Sequence, residues 1–253
     1  MNLFSDLDNT LIYSHRRNLP EPKITVEWLN GKQQSFMTEK SFNFFSDNPD
    51  VQLIPVTTRS IEQYSRLTAL TEGLKVSYAI VCNGGILLSN GMIDTDWMNE
   101  TMKMMEPAYD EFMRVKEVAC ELCGEDHIHD VEGIMFYGKS ETPQQIVNAL
   151  SLKMDVSKVG AFCDSRKFYC VPNVINKGSA VQRFSKRFNA TIDVAVGDGI
   201  ADIPMLEAAR FAIAPKLLDC LVNNRNVAYI DKREILSDEV CSIVKKHLEY
   251  ENI

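Results

Sequence analysis

No apolar run in this 253-residue chain approaches the ~20 residues that a helix needs to cross a bilayer, so a helical membrane protein is not expected. Basic charge is not in excess either. Lys and Arg number 27 against 35 Asp and Glu, a net charge of −8. A general nucleic-acid binder, or a protein that docks on anionic lipid, needs a basic face, and neither class fits. Internal repeats and low-complexity tracts are missing, which removes solenoids and disordered linkers from consideration. The first residues, Met1-Asn2-Leu3-Phe4-Ser5-Asp6, show no basic leader and reach an acid at once, so no signal peptide is expected. Cysteine is sparse, odd in number at 7, and scattered. A chain long enough to bury a substantial core needs no bridges, so the thiols are read as reduced and the protein as cytoplasmic. What remains is a 45% apolar chain of one large domain or two modest ones, with composition leaving monomer or homodimer open.

The order of predicted elements narrows the fold. Residues 2–5 are a short apolar strand that runs into Asp6-Leu7-Asp8-Asn9-Thr10. Ile24–Trp28 and Gln34–Met37 flank Asn30-Gly31 as a hairpin. Thr38 is placed to cap a helix through Phe45. Val51–Val56 and Ala79–Cys82 read as buried strands, with a helix over Ser60–Thr71 between them. Strand and helix alternate with connections that suit crossovers, the pattern of a doubly wound, mostly parallel α/β sheet. The pattern then changes. A hairpin at 86–93, a long helix over Glu100–Leu122, a strand at Gly133–Tyr137, a helix at Pro143–Leu152 and a strand at Phe168–Val171 form a mixed α+β block. After it, α/β alternation resumes from Lys177 to a terminal helix at Asp238–Tyr250. The predicted organisation is a Rossmann-like core of residues 1–85 and 171–253, interrupted by an inserted α+β unit at 86–170.

Four segments carry chemistry, and each falls at a predicted strand end, where ligands of open α/β sheets bind. Asp6 and Asp8 are two residues apart on extended chain, so both carboxylates can face one pocket, and a divalent cation would relieve their repulsion. Taken alone, Asp8 could simply cap a turn. Thr57, with the N–H groups of its turn, can cradle an anionic oxygen, although its ordinary role there is to cap the next helix. Lys177 opens a helix, where the dipole disfavours a cation, so a bound anion or a buried carboxylate should hold it. Gly197-Asp198-Gly199-Ile200-Ala201-Asp202 follows an apolar strand, and its glycines allow a close backbone approach. Asp198 could complete a hard-cation site, while Asp202, just before Pro204, is equally well placed as a helix cap.

The set and its order resemble the haloacid dehalogenase-like hydrolases, in particular the Cof-type and sucrose-phosphatase-like branch. Asp6-Leu7-Asp8-Asn9-Thr10-Leu11 is similar to the family's first motif, and Val56-Thr57-Thr58-Arg59 to its second, where Thr-Gly-Arg is more usual. Asn83-Gly84-Gly85 resembles the turn before the large cap, Asn176-Lys177-Gly178 the third motif, and Gly197-Asp198 through Met205-Leu206 the fourth. The resemblance implies hydrolysis of a phosphate ester through an aspartyl-phosphate. It makes Asp6 the nucleophile and Asp8 the acid and base. Thr57 and the N–H of Leu7 or Thr58 would bind phosphoryl oxygens, with Arg59, Asn83 and Gly84 beside the substrate. Lys177 would offset charge. Mg²⁺ would be held by Asp6, the Asp8 carbonyl and Asp198, with Asp202 ordering a water or the lysine. Thr58 stands where glycine is usual and Ala201 where asparagine is common; neither touches the nucleophile, the acid or the lysine.

The inserted unit, as a cap, is expected to supply selectivity, with Lys139, Arg166, Lys167 and Arg59 as candidates to reach substrate hydroxyls or a second anion. Cys120, Cys123, His127 and His129 have spacing that could bind zinc, although the cysteines also fit the apolar face of a helix. Two other functions suit the same residues: a phosphomutase, and a non-catalytic protein that binds a phosphorylated ligand.

Overall fold

The computed structural model describes residues 1–231 and 234–251. The first stretch comprises β1 (Asn2–Ser5), β2 (Tyr13–Ser14), β3 (Lys23–Leu29), β4 (Lys32–Thr38), α1 (Glu39–Asp47), β5 (Gln52–Pro55), α2 (Ile61–Ser65), β6 (Tyr78–Val81), β7 (Ile86–Ser89) and β8 (Met92–Ile93). Helices α3 (Thr95–Met105) and α4 (Tyr109–Cys123) lead into β9 (Ile128–Val131), β10 (Met135–Lys139), α5 (Pro143–Ser151), β11 (Val159–Asp164) and β12 (Lys167–Pro172). The chain returns through α6 (Lys177–Phe188), β13 (Val194–Val196), α7 (Ile203–Ala208), β14 (Phe211–Pro215), β15 (Val227–Ile230) and α8 (Leu236–Glu251).

The central sheet is parallel, in the order β15-β14-β13-β1-β5. Its strands are apolar on both faces because both are covered. Leu3, Leu53, Val194 and Ile213 point to one side, in a core shared with Phe44, Phe45, Val240 and Val244 of α1 and α8. Phe4, Ile54, Ala195 and Ala212 point to the other, against Val181 and Phe184 of α6 and Met205 and Leu206 of α7. This is the doubly wound core expected from the sequence. β6 joins it only through a bridge between Val56 and Ile80, then pairs antiparallel with β7.

The inserted cap is a four-stranded antiparallel sheet, in the order β11-β12-β10-β9. One face buries Phe136, Phe168 and Cys170 against Phe112, Val115 and Ala119 of α4 and Val147 and Leu150 of α5. The hairpin at residues 86–93 hydrogen-bonds to β6, and Trp97 of α3 is buried among Phe4, Ile80 and Val181. At the other end, β12 pairs within the cap sheet as far as Pro172.

The helix expected over Ser60–Thr71 stops after Ser65, and a single wide turn follows at Ala69–Gly73. The break lets Leu67 and Leu70 be buried while the Arg66 side chain reaches Glu27. The long helix expected over Glu100–Leu122 is two helices. Pro107 has no N–H to give and interrupts the ladder at Glu106–Ala108. Strands β9 and β11 escape sequence reading because His129, Asp130, Gly160 and Cys163 blur their alternation.

Candidate active site

Strand pairing brings the first and fourth motifs together. Ser5 lies beside Val196, so the loops after β1 and β13 leave the sheet side by side, and the Asp6 N–H donates to the Val196 carbonyl at 2.9 Å. Lys177 is the first residue of α6, whose start is secured by reciprocal bonds between Asn176 and Ser179. Its ammonium is 2.5 Å from Asp6 Oδ1 and 2.5 Å from Asp202 Oδ1, and the residue is 2% exposed. Two glycines make this approach possible. A Cβ on Gly178 would lie 2.5 Å from the Pro204 carbonyl oxygen, and one on Gly197 would lie 2.3 Å from the Asp202 Cβ. Asp202 is not used as the cap of the helix that follows it. Its Oδ2 accepts the N–H groups of Asp198 and Gly199 at 3.0 and 2.9 Å, so it ties the fourth motif to Lys177.

The charge balance of the cluster is unfinished. Burial, and then Asp202, Asp198 and Asp8, push the Asp6 carboxyl well up, against the pull of Lys177. Burial and Asp202 push Asp198 up to about 7. Burial opposes the charge on Lys177 too, but Asp202 and Asp6 outweigh it and hold the ammonium protonated above its usual range. Oxygens of Asp6, Asp198 and Asp202 lie within 4.8 Å of one another, and the Thr10 hydroxyl stands 3.3 Å from both Asp6 Oδ2 and Asp198 Oδ1. Three clustered carboxylates with a single ammonium among them, two of them held above their usual titration range, are chemically suited to a hard divalent ion. Asp202 is held by Lys177 and two backbone N–H groups, whereas Asp6 Oδ2 and Asp198 meet only the long Thr10 contact, so Asp6 and Asp198 are the better donors.

Asp8 faces away from this cluster. Arg59 grips it with two parallel bonds, Nε to Oδ2 and Nη2 to Oδ1, both at 2.8 Å. Burial pushes the Asp8 pKa up, but Arg59 outweighs it and holds the carboxyl below its usual range. Arg59 is in turn bonded to Glu27, and Glu27 to Arg66 at 3.1 Å and to the Ser35 hydroxyl at 2.8 Å. Glu27 was not picked out in the sequence. It sits in the β3–β4 hairpin, where its place between Val26 and Trp28 gives no sign that it is buried. The Glu27→Ala variant is expected to lose ~2 kcal/mol, since two guanidinium groups lose a partner in a mostly buried site, and thermal denaturation should show a drop of several degrees.

Thr57 is buried at the end of β5, and its hydroxyl accepts the Arg59 N–H at 3.2 Å. The N–H groups of Leu7, Asp8 and Thr58 have no acceptor among the described residues. Asn83 and Gly84, expected beside the substrate, serve the fold here. The Asn83 amide donates to the Ile175 carbonyl at 3.2 Å, and the Gly84 carbonyl accepts from Trp97 Nε1 at 3.2 Å. Among the described residues, no three of Cys120, Cys123, His127 and His129 converge on one point; His129 lies against Tyr137 instead. Between core and cap is a cleft of about 750 Å³ bordered by Asp8, Thr58, Arg59, Tyr137, Lys139, Arg166, Lys167 and Tyr169. The tyrosines were missed because in sequence they are ordinary strand residues; only the register of the cap sheet turns them toward the core.

Comparison with known proteins bears on the fold. A family model described as haloacid dehalogenase-like hydrolase matches residues 94–216. A sucrose-phosphatase from Synechocystis sp. PCC6803, solved with sucrose and phosphate, is 13% identical, with a TM-score of 0.61 over 97% of each chain. A subclass IIB sugar phosphatase is 12% identical, with a TM-score of 0.61 over 98% of each chain. A haloacid dehalogenase-like hydrolase from B. subtilis is 16% identical, with a TM-score of 0.57 over 97% of this chain and 99% of the other. At these identities the structures establish a shared fold. No curated protein matches by sequence.

Proposed function

We propose that this chain, which has the fold of the haloacid dehalogenase-like hydrolases, is a Mg²⁺-dependent phosphatase of small phosphomonoesters, sugar phosphates or metabolites of similar polarity. The observation that carries the reading is the buried Lys177 ammonium bridging Asp6 and Asp202, with Asp198 beside them, at the carboxyl edge of a parallel sheet.

The residues divide the work as follows. Asp6 attacks phosphorus, the ester P–O bond breaks, and the phosphoryl group is carried as an aspartyl-phosphate. Lys177 holds Asp6 in place and offsets charge as phosphoryl oxygens approach a carboxylate. The unused N–H groups of Leu7, Asp8 and Thr58, at the turns after β1 and β5, donate to those oxygens. Asp8 gives the leaving alkoxide a proton, then takes one from the water that opens the aspartyl-phosphate, releasing inorganic phosphate and restoring Asp6. Because Arg59 keeps Asp8 ionised in this structure, the acid step requires the two side chains to part. Asp6, the Asp8 carbonyl and Asp198 would hold Mg²⁺, which supplies Lewis-acid neutralisation of the phosphoryl group.

Release of free phosphate from an aryl phosphate, measured colorimetrically with and without Mg²⁺, tests the reading. Steady release separates a phosphatase from both a phosphomutase and a non-catalytic binder, and no release with metal present would end it. Metal binding has its own signature. At ~100 times its dissociation constant, Mg²⁺ is expected to stabilise the fold by about 2.7 kcal/mol, a rise of ~5–10 °C in a thermal melt. The Asp198→Asn variant should lose most of that rise. Asp198 must shed its proton to bind metal, so the rise should shrink as pH falls below about 7. An unchanged melting temperature on adding Mg²⁺ would count against the metal site.

A further inference from the structure

We infer that the leaving group of the substrate carries a second anionic group, a carboxylate or a second phosphoryl, received by Lys139 and Lys167 on the open face of the cap sheet. The inference rests on the phosphatase reading above and extends it to the class of substrate.

The argument starts from register. β10 and β12 run antiparallel, with Tyr137 directly opposite Tyr169 and Lys139 directly opposite Lys167. Residues two apart on a strand share a face, so two tyrosines and two lysines form one continuous patch. The alternate residues, Phe136, Phe168 and Cys170, fill the far side against α4 and α5. The patch borders the cleft, and Asp8, Thr58 and Arg59 border it from the core side.

Like charges directly opposite each other on a sheet are destabilising, and a free choice of sequence avoids them. Three guanidinium groups of this cleft are neutralised, Arg59 by Asp8 and Glu27, Arg66 by Glu27 and Glu62, and Arg166 by Glu141, while Arg16 at its border, like the lysines, is in no ion pair among the described residues. Among the described residues, neither Lys139 nor Lys167 is in an ion pair, although Asp164 is the cross-strand neighbour of Lys167 on β11. The Lys167 ammonium instead lies 5.0 Å from the Tyr137 ring centre and 5.9 Å from that of Tyr169. Burial pushes its pKa down, opposed by Asp8 and Asp164, while Arg59 and Lys139 push it further down. Two opposed ammonium groups with no carboxylate in ion-pair contact, over a polar cleft and beside two rings, are arranged for an anion that arrives with the ligand. The phosphoryl group would sit at the sheet edge by Asp6, the carbon frame against Tyr137 and Tyr169, and the second anion under the lysine pair.

Matched ligands test this. Glycerol 3-phosphate is compared with 3-phosphoglycerate, which adds a carboxylate, and fructose 6-phosphate with fructose 1,6-bisphosphate, which adds a phosphoryl group. Affinities are measured calorimetrically on an Asp6→Asn background, and kcat/KM on the otherwise unchanged enzyme. The doubly anionic member of at least one pair is expected to be favoured by about tenfold or more. That ratio should fall towards unity in the Lys139→Gln/Lys167→Gln double variant and persist in the Lys139→Arg/Lys167→Arg variant, whatever either does to overall turnover. The pair that responds tells carboxylate from phosphoryl. Equal or better handling of the singly anionic ligand in both pairs, or a ratio that survives in the glutamine variant, would overturn the inference. Phosphate release from an aryl phosphate is read separately. Its absence, with selective binding intact, would remove the phosphatase reading and leave the anion site standing; release without selectivity would do the reverse.

Discussion

The Asp6→Asn variant is expected to release phosphate at least ~10⁴-fold more slowly than the wild type, with a melting temperature close to that of the parent. An amide keeps the shape of the carboxylate but is no nucleophile towards phosphorus. It can still accept the Lys177 bond through its oxygen, and Lys177 keeps Asp202 as counter-ion. Loss of one of several crowded negative charges offsets part of what the ion pair contributed, since burial and acidic neighbours hold the Asp6 pKa well above the usual carboxylate range. Phosphate assays and circular dichroism on one preparation separate the two effects. Turnover within tenfold of the parent would remove Asp6 from the chemistry.

Lys177→Met is expected to damage both function and fold. The lysine is the largest buried cation in the core, and its removal leaves Asp6 and Asp202 facing each other with no positive partner. Breaking a buried ion pair from one side costs about 3–5 kcal/mol, which for a chain of this size lowers the melting temperature by ~6–20 °C. The loss depends on pH in a defined direction. Asp6 is already held above the unfolded pKa of about 4 by burial and its acidic neighbours, and without the ammonium its pKa rises further. Acids raised in this way cost nothing below the unfolded value, because they are protonated in both states. They destabilise progressively as pH climbs through the folded value. The deficit relative to wild type should therefore be small in mild acid and full at neutral pH and above. A deficit that grows on acidification would contradict the placement of the lysine between two carboxylates.

Legibility from sequence followed the reach of each signal. The parallel core was readable because Leu3-Phe4, Leu53-Ile54 and Val194–Val196 are apolar on both faces, which only a doubly covered sheet allows. Asp6, Lys177 and Asp198 were readable because each ends or begins an element whose position the alternation defines. What escaped depended on partners distant in sequence. Glu27 is an unremarkable hairpin acid until Arg59 and Arg66 fold against it. Tyr137 and Tyr169 gain meaning from a pairing register that neither strand encodes alone. Asn83 and Gly84 show the same dependence on distant partners: the Asn83 amide N–H meets the Ile175 carbonyl and the Gly84 carbonyl meets Trp97, contacts that their motif does not announce. The Pro107 interruption was open to inspection, yet the apolar periodicity runs on through it from α3 into α4 and masked the break.

The return path of the chain has a mechanical consequence. From the last cap strand, ending at Pro172, only Asn173-Val174-Ile175-Asn176 separates the sheet that overhangs the cleft from Lys177 itself. A hinge so near the ammonium would transmit every swing of the roof to it unless the joint were braced. The bracing is present: Asn176 and Ser179 lock the first turn of α6, Ile175 is fully packed, and its carbonyl is held by Asn83 from the opposite loop. Loosening that clamp, for example with glycine at Asn176, would turn lid motion into jitter of the charged group, so that opening and chemistry would cease to be independent events.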